Sequence, residues 1–357
     1  MNGQVDRLKA QSDRLIHRLP AAVGDGIASP RDTSVSRTGV TSLPTLHFLI
    51  VYDFTDPSSR SFALAAAQLR NFARYLAPKP VMAVTAICLG PVPDEVEQAA
   101  IETKRRLHRQ GRVDRPIASV IFSHKLHALT VIEADKDTSD RYIIIDHDTF
   151  FLEPPTYLLQ LPSDAFCAKL DPLRRISNED WIEAETIIRD HGIHARFLPP
   201  MHLTGDRARP APMPASERIY VNGGVMVLPR GKDAAVLLKD YRGVMEVIQS
   251  RGIRTAGIGD CDQFAISIAA ARQRLFRLDA SVNFQANNIL EGYRPGEISA
   301  VHFAGNLGAS LHEVNASFLQ NMLAVCAQVS DPDEAEYYRE LAHSIHRTIE
   351  HTLVDAG

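Results

Sequence analysis

The sequence predicts an α/β protein with a mixed, mainly parallel sheet flanked by helices, and three observations predict it. From Leu46 onward, short apolar runs alternate with stretches of helical period, the order that builds a parallel sheet with helices on its faces. The central run, Tyr142-Ile143-Ile144-Ile145, has no polar alternation, as expected of a strand buried on both faces. That run ends directly in Asp146 and Asp148, at the strand edge where open α/β sheets gather their ligands.

The bulk composition agrees and excludes several classes. With 357 residues, 45% hydrophobic and 23% charged, the chain suits one large α/β domain or two modest ones. A formal net charge of −4 gives no reason to expect nucleic-acid binding, which needs a strongly positive face. Four scattered cysteines, Cys88, Cys167, Cys261 and Cys326, form no Cys-x-x-Cys pair and read as reduced thiols of a cytoplasmic protein. No apolar run of about 18 residues predicts a spanning helix, and no signal peptide is expected at the N-terminus.

Taken in order, residues 1–19 suit a short amphipathic helix and 20–43 a Pro/Gly/Ser-rich linker. Leu46 to Tyr52 reads as the first strand, Ser61 to Leu76 as a helix stopping before Pro78, and Val81 to Leu89 as the second strand. Glu95 to Gln110 reads as a charged helix, Ala118 to Phe122 as a third strand, and Lys125 to Ala134 as a helix. No Gly-x-Gly-x-x-Gly follows the first strand, where Tyr52-Asp53-Phe54-Thr55-Asp56 stands instead, so a dinucleotide-dependent dehydrogenase is excluded.

Beyond the central strand the apolar run resumes through Phe150-Phe151-Leu152, and the extended chain is expected to continue without a turn. Side chains two apart on an extended segment point the same way. Two carboxylates converging there repel unless a cation lies between them, and hard oxygen ligands suit Mg²⁺ or Mn²⁺. Residues 153–218, dense in proline and holding the only tryptophan, Trp181, read as a long functional insertion. Tyr220 to Leu228 contains Asn222-Gly223-Gly224 and then a strand, the glycines admitting close approach to a ligand. Ala234 to Ser250 is an amphipathic helix, and Asp260-Cys261-Asp262-Gln263 enters another, its acids suited to a helix N-terminus. His302 lies in a short apolar strand, and Glu313 to Leu353 is helical.

These pieces together resemble a known family. Ser123-His124-Lys125-Leu126, Ile-Ile-Ile-Asp146-His147-Asp148, Val-Asn222-Gly223-Gly224-Val-Met-Val-Leu, Gly-Asp-Cys-Asp262-Gln263-Phe and Val-His302-Phe-Ala-Gly305 stand in the order seen in the GT-A (Rossmann-like) nucleotide-sugar glycosyltransferases. The retaining group containing glycogenin and the lipopolysaccharide α-galactosyltransferases is the most similar. The resemblance covers about 46–306 and implies a catalytic domain at 44–308, with 153–218 on the acceptor side and a C-terminal helical extension at 309–357.

By that resemblance, Asp146, Asp148 and His302 hold Mn²⁺ or Mg²⁺, and Asp262 and Gln263 act at the reacting face of the sugar. Tyr52, Asp53, Lys125, Asp146, His147, Asn222, Gly223, Gly224 and Gly305 are implied in binding the donor. A UDP-sugar is favoured over a GDP-sugar, and the acceptor is a saccharide or other hydroxyl. Trp181 is a candidate for stacking on an acceptor sugar. The insertion and the C-terminal helices are where acceptor selection and contacts between copies of the chain are expected. One departure stands out: the family's Gly-x-x-Lys after the late histidine is here Gly305-Asn306-Leu307-Gly308.

Two other readings remain open. Haloacid-dehalogenase-type phosphohydrolases also end a strand in Asp-x-Asp, but they want Thr or Val at position 150, where Phe stands, and place the acids after the first strand. A catalytically idle nucleotide-sugar binder or scaffold is the third, against which the complete set Asp146, Asp148, Asp262 and His302 argues.

Overall fold

A computed structural model describes residues 46–55, 61–76, 82–103, 106–110, 121–134, 141–170, 186, 221–250, 261–270, 273–306 and 308–354. The expected N-terminal helix and linker, Trp181, Asp260 and most of the 153–218 insertion lie outside them.

The central sheet has seven strands: β1 (Leu46–Asp53), β2 (Met82–Leu89), β3 (Arg106–Gln110), β4 (Arg141–Ile145), β6 (Ala165–Leu170), β7 (Val221–Val227) and β8 (Arg274–Leu278). Their order is β3-β2-β1-β4-β7-β6-β8. Every pairing is parallel except those of β7, which runs antiparallel to both β4 and β6. A second, two-stranded sheet pairs β5 (Thr149–Phe151) antiparallel with β9 (Ala300–His302). The mixed, mainly parallel α/β class expected from the sequence is therefore the fold.

The apolar run of β1 is buried along its length except at Asp53, because helices cover both faces of the sheet. On one face lie α1 (Ser61–Leu76) and α2 (Asp94–Thr103), whose Leu69, Phe72 and Val96 join Phe48, Ile50 and Ile143. On the other lie α3 (Ala128–Ala134), α4 (Lys232–Ser250) and α5 (Cys261–Ala270), packed on Leu49, Ile144 and Met226. The C-terminal helices, α6 (Leu311–Cys326) and α7 (Pro332–Ile349), build a third core in which Phe318 and Ile345 join Phe150 and Val301 of the small sheet and Phe303 just after it. These helices thus support β5 and β9 directly.

Three local readings differ. The helix expected through Gln110 stops at Thr103, and Arg106–Gln110 is the edge strand β3. A charged edge strand discourages pairing with other chains, and that polar composition hides it among helix-like residues. Ile121 and Phe122, expected in a strand, open a 3-10 segment (Ile121–His127) that runs into α3. The long C-terminal helix is two, separated before Pro332, where Asp331 caps the second by accepting from the Glu334 N–H.

The central segment also departs from a continuous strand. The Thr149 N–H donates to the Asp146 carbonyl at 3.1 Å, so the chain turns between β4 and β5. The apolar residues after the acids belong to a different sheet, which is why hydrophobicity resumes without a strand continuing.

Candidate functional site

The turn Asp146–Thr149 lies at the C-terminal end of β4. Because β7 is antiparallel, its first residues reach the same edge: Ile145 is opposite Val225, and the Asp146 N–H donates to the Gly224 carbonyl at 3.1 Å. On the other side of the turn, β9 places His302 opposite Thr149, and the Phe303 N–H donates to the Asp148 carbonyl at 2.9 Å. Three distant segments are thereby fixed by backbone pairing alone.

Ligand atoms of Asp146, Asp148 and His302 lie within 4.8 Å of one another. His302 Nε2 is 3.2 Å from Asp148 Oδ1 and 3.7 Å from Asp146 Oδ2. Both Asp148 and His302 are buried. The turn, rather than strand alternation, makes the two acids converge.

A chain of amides holds the histidine ring. The Gly224 N–H can only donate, and it donates to Asn222 Oδ1 at 3.0 Å. Asn283 Nδ2 donates to that same oxygen at 2.8 Å, which leaves Asn283 Oδ1 facing His302 Nδ1 at 3.0 Å. Gln285 Nε2 lies 3.4 Å from the same Nδ1, so two amides flank that nitrogen while Nε2 faces the acids. Two carboxylates and an imidazole are a donor set that a divalent cation of the manganese type suits.

Beside this cluster sits an ion-pair group. Lys125 Nζ lies 2.8 Å from Asp146 Oδ1 and 3.1 Å from Asp262 Oδ2. Burial disfavours the ammonium, but Asp146 and then Asp262 outweigh it and its pKa is raised. Asp262 stands in the first turn of α5, where the helix dipole favours an acid.

The glycines admit the close approach of neighbouring side chains. A Cβ on Gly224 would lie 2.2 Å from His302 Nδ1, and one on Gly223 would lie 2.6 Å from Lys125 Nζ. The Gly-Gly pair makes room for the protein's own histidine and lysine. Gly305 has φ +76°, in the left-handed region that favours glycine, and forms the turn after His302.

Two polar atoms here have no hydrogen-bond partner among the described residues: Asn222 Nδ2, a donor, and Gln263 Oε1, an acceptor, both buried. Buried polar atoms of native proteins are nearly always satisfied, so an unpaired donor and acceptor beside charged groups are notable features of this cluster.

The structure therefore gathers Lys125, Asp146, Asp148, Asn222, Gly223, Gly224, Asp262, Gln263 and His302 from the residues singled out in the sequence. His147 lies within the turn and is half-buried. Asp53 is half-buried at the end of β1, where its Oδ1 accepts from the Thr55 N–H at 2.9 Å. Tyr52, expected to meet a nucleoside, is instead buried in the core: its hydroxyl donates to Gln68 Oε1 at 2.8 Å, its ring stacks on Phe54, and burial pushes its phenol pKa well up. Its position in a two-sided strand directs it inward, towards α1.

In the sequence Val282-Asn283-Phe284 stands among the ordered motifs without a role for Asn283, and sequence reasoning missed Lys169. Lys169 is buried and donates to the Asn283 carbonyl at 3.1 Å, Gln285 Oε1 at 3.0 Å and Asn288 Oδ1 at 2.6 Å, holding the loop behind His302. A lysine alone inside a strand of small apolar residues was the signal.

No protein-family model matches the chain, and no curated protein matches it. Solved structures similar to it include the apo WbbM bifunctional glycosyltransferase, at 12% identity over 85% of this chain and 52% of that one, TM-score 0.47. Mouse xyloside xylosyltransferase 1, apo form, matches at 13% identity over 72% of this chain and 97% of that one, TM-score 0.41. The glycosyltransferase GlyE of Streptococcus pneumoniae TIGR4 matches at 10% identity over 85% of this chain and 63% of that one, TM-score 0.43. The chain spans about half the length of WbbM. Among the described residues no helix is long and apolar enough to cross a membrane.

Proposed function

We propose that the protein is a metal-dependent, retaining glycosyltransferase of the GT-A type, moving a hexose from a nucleotide-sugar to a hydroxyl acceptor. The observation that carries this reading is the convergence of Asp146, Asp148 and His302 within 4.8 Å, adjoining the Lys125–Asp262 group and the two unpaired amide atoms. The ordered motifs of the sequence support it.

In this reading Asp146, Asp148 and His302 hold Mn²⁺ in preference to Mg²⁺, because an imidazole is among the ligands. The cation offsets the charge that builds on the leaving diphosphate. Asn222 Nδ2 donates to an oxygen of the donor, and Gln263 Oε1 accepts from a sugar hydroxyl, which orients the anomeric carbon. The bond from that carbon to the leaving phosphate oxygen breaks, and a bond to the acceptor oxygen forms on the same face. The acceptor proton passes to the departing phosphate oxygen. Asp262 and Gln263 steady the positive charge developing on the sugar, while Lys125 holds Asp262 and Asp146 in place. With no lysine at the Gly305-Asn306-Leu307-Gly308 turn, the diphosphate relies more on the cation. We assign 44–308 as the catalytic domain and acceptor selection to the 153–218 insertion, with UDP the favoured base.

The test is a panel of UDP- and GDP-sugars with Mn²⁺ or Mg²⁺ and hydroxyl acceptors, following nucleoside diphosphate release and the anomeric configuration of the product. One donor is expected to turn over only with the cation present. Asp148→Ala is expected to abolish that turnover while the protein stays folded, and wild-type-like turnover by this variant would refute the metal assignment.

A further inference from the structure

The turn bearing the acids is gripped from behind by one side chain that takes no part in the proposed chemistry. Gln68, fully buried in the middle of α1, directs its amide nitrogen at two carbonyls of that turn. Gln68 Nε2 donates to the Asp146 carbonyl at 2.8 Å and to the Thr149 carbonyl at 2.6 Å. An amide nitrogen has two hydrogens, and here each reaches one end of the turn whose middle carries the carboxylates. The amide cannot flip without setting its oxygen against both carbonyls. Tyr52 enforces the orientation, because its buried hydroxyl donates to Gln68 Oε1 at 2.8 Å. One helical turn later, Asn71 does for β5 what a neighbouring strand would do: its Nδ2 donates to the Phe151 carbonyl at 2.8 Å and its Oδ1 accepts the Phe151 N–H at 2.9 Å.

Burying an amide in a helix face packed on a sheet is unfavourable unless its hydrogen bonds are made. A leucine at 68 would pack as well but would leave the Asp146 carbonyl with only the Thr149 N–H and remove the Gln68 bond to the Thr149 carbonyl. What the glutamine adds is a fixed distance between the first and last residues of the turn, and with it the spacing of Asp146 and Asp148.

We propose that Gln68, oriented by Tyr52, is a positioning residue that sets the cation affinity of the Asp146–Asp148–His302 site. This rests on the reading of those three residues as a cation site. Asn71 has a different part, anchoring β5 beyond the turn.

The test measures Mn²⁺ binding to the metal-stripped full chain, by the electron paramagnetic resonance signal of free Mn²⁺, alongside thermal melting. Gln68→Met keeps the volume and removes both donors, and Tyr52→Phe removes only the hydroxyl that orients them. Gln68→Met is expected to weaken Mn²⁺ binding by about 10–100-fold, the usual range for groups that orient metal ligands. Tyr52→Phe should weaken it in the same direction but less. In turnover, KM for Mn²⁺ rises while kcat at saturating Mn²⁺ is largely kept. Asn71→Leu should lower the melting temperature and leave Mn²⁺ affinity unchanged.

Wild-type Mn²⁺ affinity in both Gln68→Met and Tyr52→Phe would overturn the proposal. So would an equal loss of affinity in Asn71→Leu, since the effect would then be general loosening. Should Gln68→Met not fold, Tyr52→Phe decides alone. A wild-type chain that binds no Mn²⁺ overturns the cation site itself, a result distinct from an intact site indifferent to Gln68.

Discussion

The two sides of the site hold their charge in opposite ways. On the α5 side, Asp262 and both oxygens of Asp146 share the ammonium of Lys125, which lies 3.1 Å from Asp262 Oδ2 and 2.8 and 3.1 Å from Asp146 Oδ1 and Oδ2. On the β9 side, Asp148 Oδ1 and that same Asp146 Oδ2 face His302 Nε2, while His302 Nδ1 lies 3.0 Å from Asn283 Oδ1 and 3.4 Å from Gln285 Nε2. One side carries its own cation as part of the chain. The other presents two carboxylate oxygens and an imidazole nitrogen, a set of ligands for a cation that comes and goes. Asp146 belongs to both, so the two sides compete for it. In the proposed reaction, the permanent cation would give a fixed floor for the sugar, and an exchangeable one would let the diphosphate leave.

The largest way to break this contrast is to remove the permanent cation. Lys125→Met leaves Asp146 and Asp262 buried beside each other without their shared partner, and breaking a buried ion pair costs about 3–5 kcal/mol. The melting temperature is expected to fall accordingly, and turnover with it. Mn²⁺ affinity, by contrast, should be kept or rise, because Asp146 is released to the other side. Loss of Mn²⁺ binding in parallel with turnover would show that the two sides are one unit.

A smaller effect sharpens the opposite side. Asn283→Ala deletes the group that fixes the His302 ring but touches none of the Lys125 contacts. Mn²⁺ binding is expected to weaken by about 10–100-fold, with only a modest fall in melting temperature. Asn283→Asp, which keeps an oxygen facing His302 Nδ1, should recover part of it. An alanine variant that binds Mn²⁺ like the wild type would mean that β9 alone sets the ring.

Much of this arrangement was legible in the sequence because strand burial and strand ends are local signals. Ile143 to Ile145 announced a two-sided strand, and the acids after it marked the edge. Asn222 and His302 stood in short apolar runs at matching edges. What local signals could not reveal was the turn at Asp146–Thr149, because apolar residues resume at once for a second sheet. Nor could they reveal the direction of Tyr52, which alternation leaves undecided when both faces are buried. Gln68 and Asn71 were silent for a further reason. Each acts through amide hydrogen bonds to residues at least 16 positions away, and one amide in a helix carries no periodicity. The edge strand β3 was misread because its charge, useful against aggregation, is also the composition of a surface helix.

The most direct test of the central claim is thermal melting with UDP, GDP and their sugars, each with Mn²⁺ and with a chelator, in the wild type and Asp148→Ala. A ligand that binds only the native state raises its melting temperature by mass action. The account predicts that one nucleotide stabilises the wild type only when the cation is present, and that Asp148→Ala loses this response while melting as a folded protein on its own. Equal stabilisation with the chelator, or no response to any nucleotide, would contradict it.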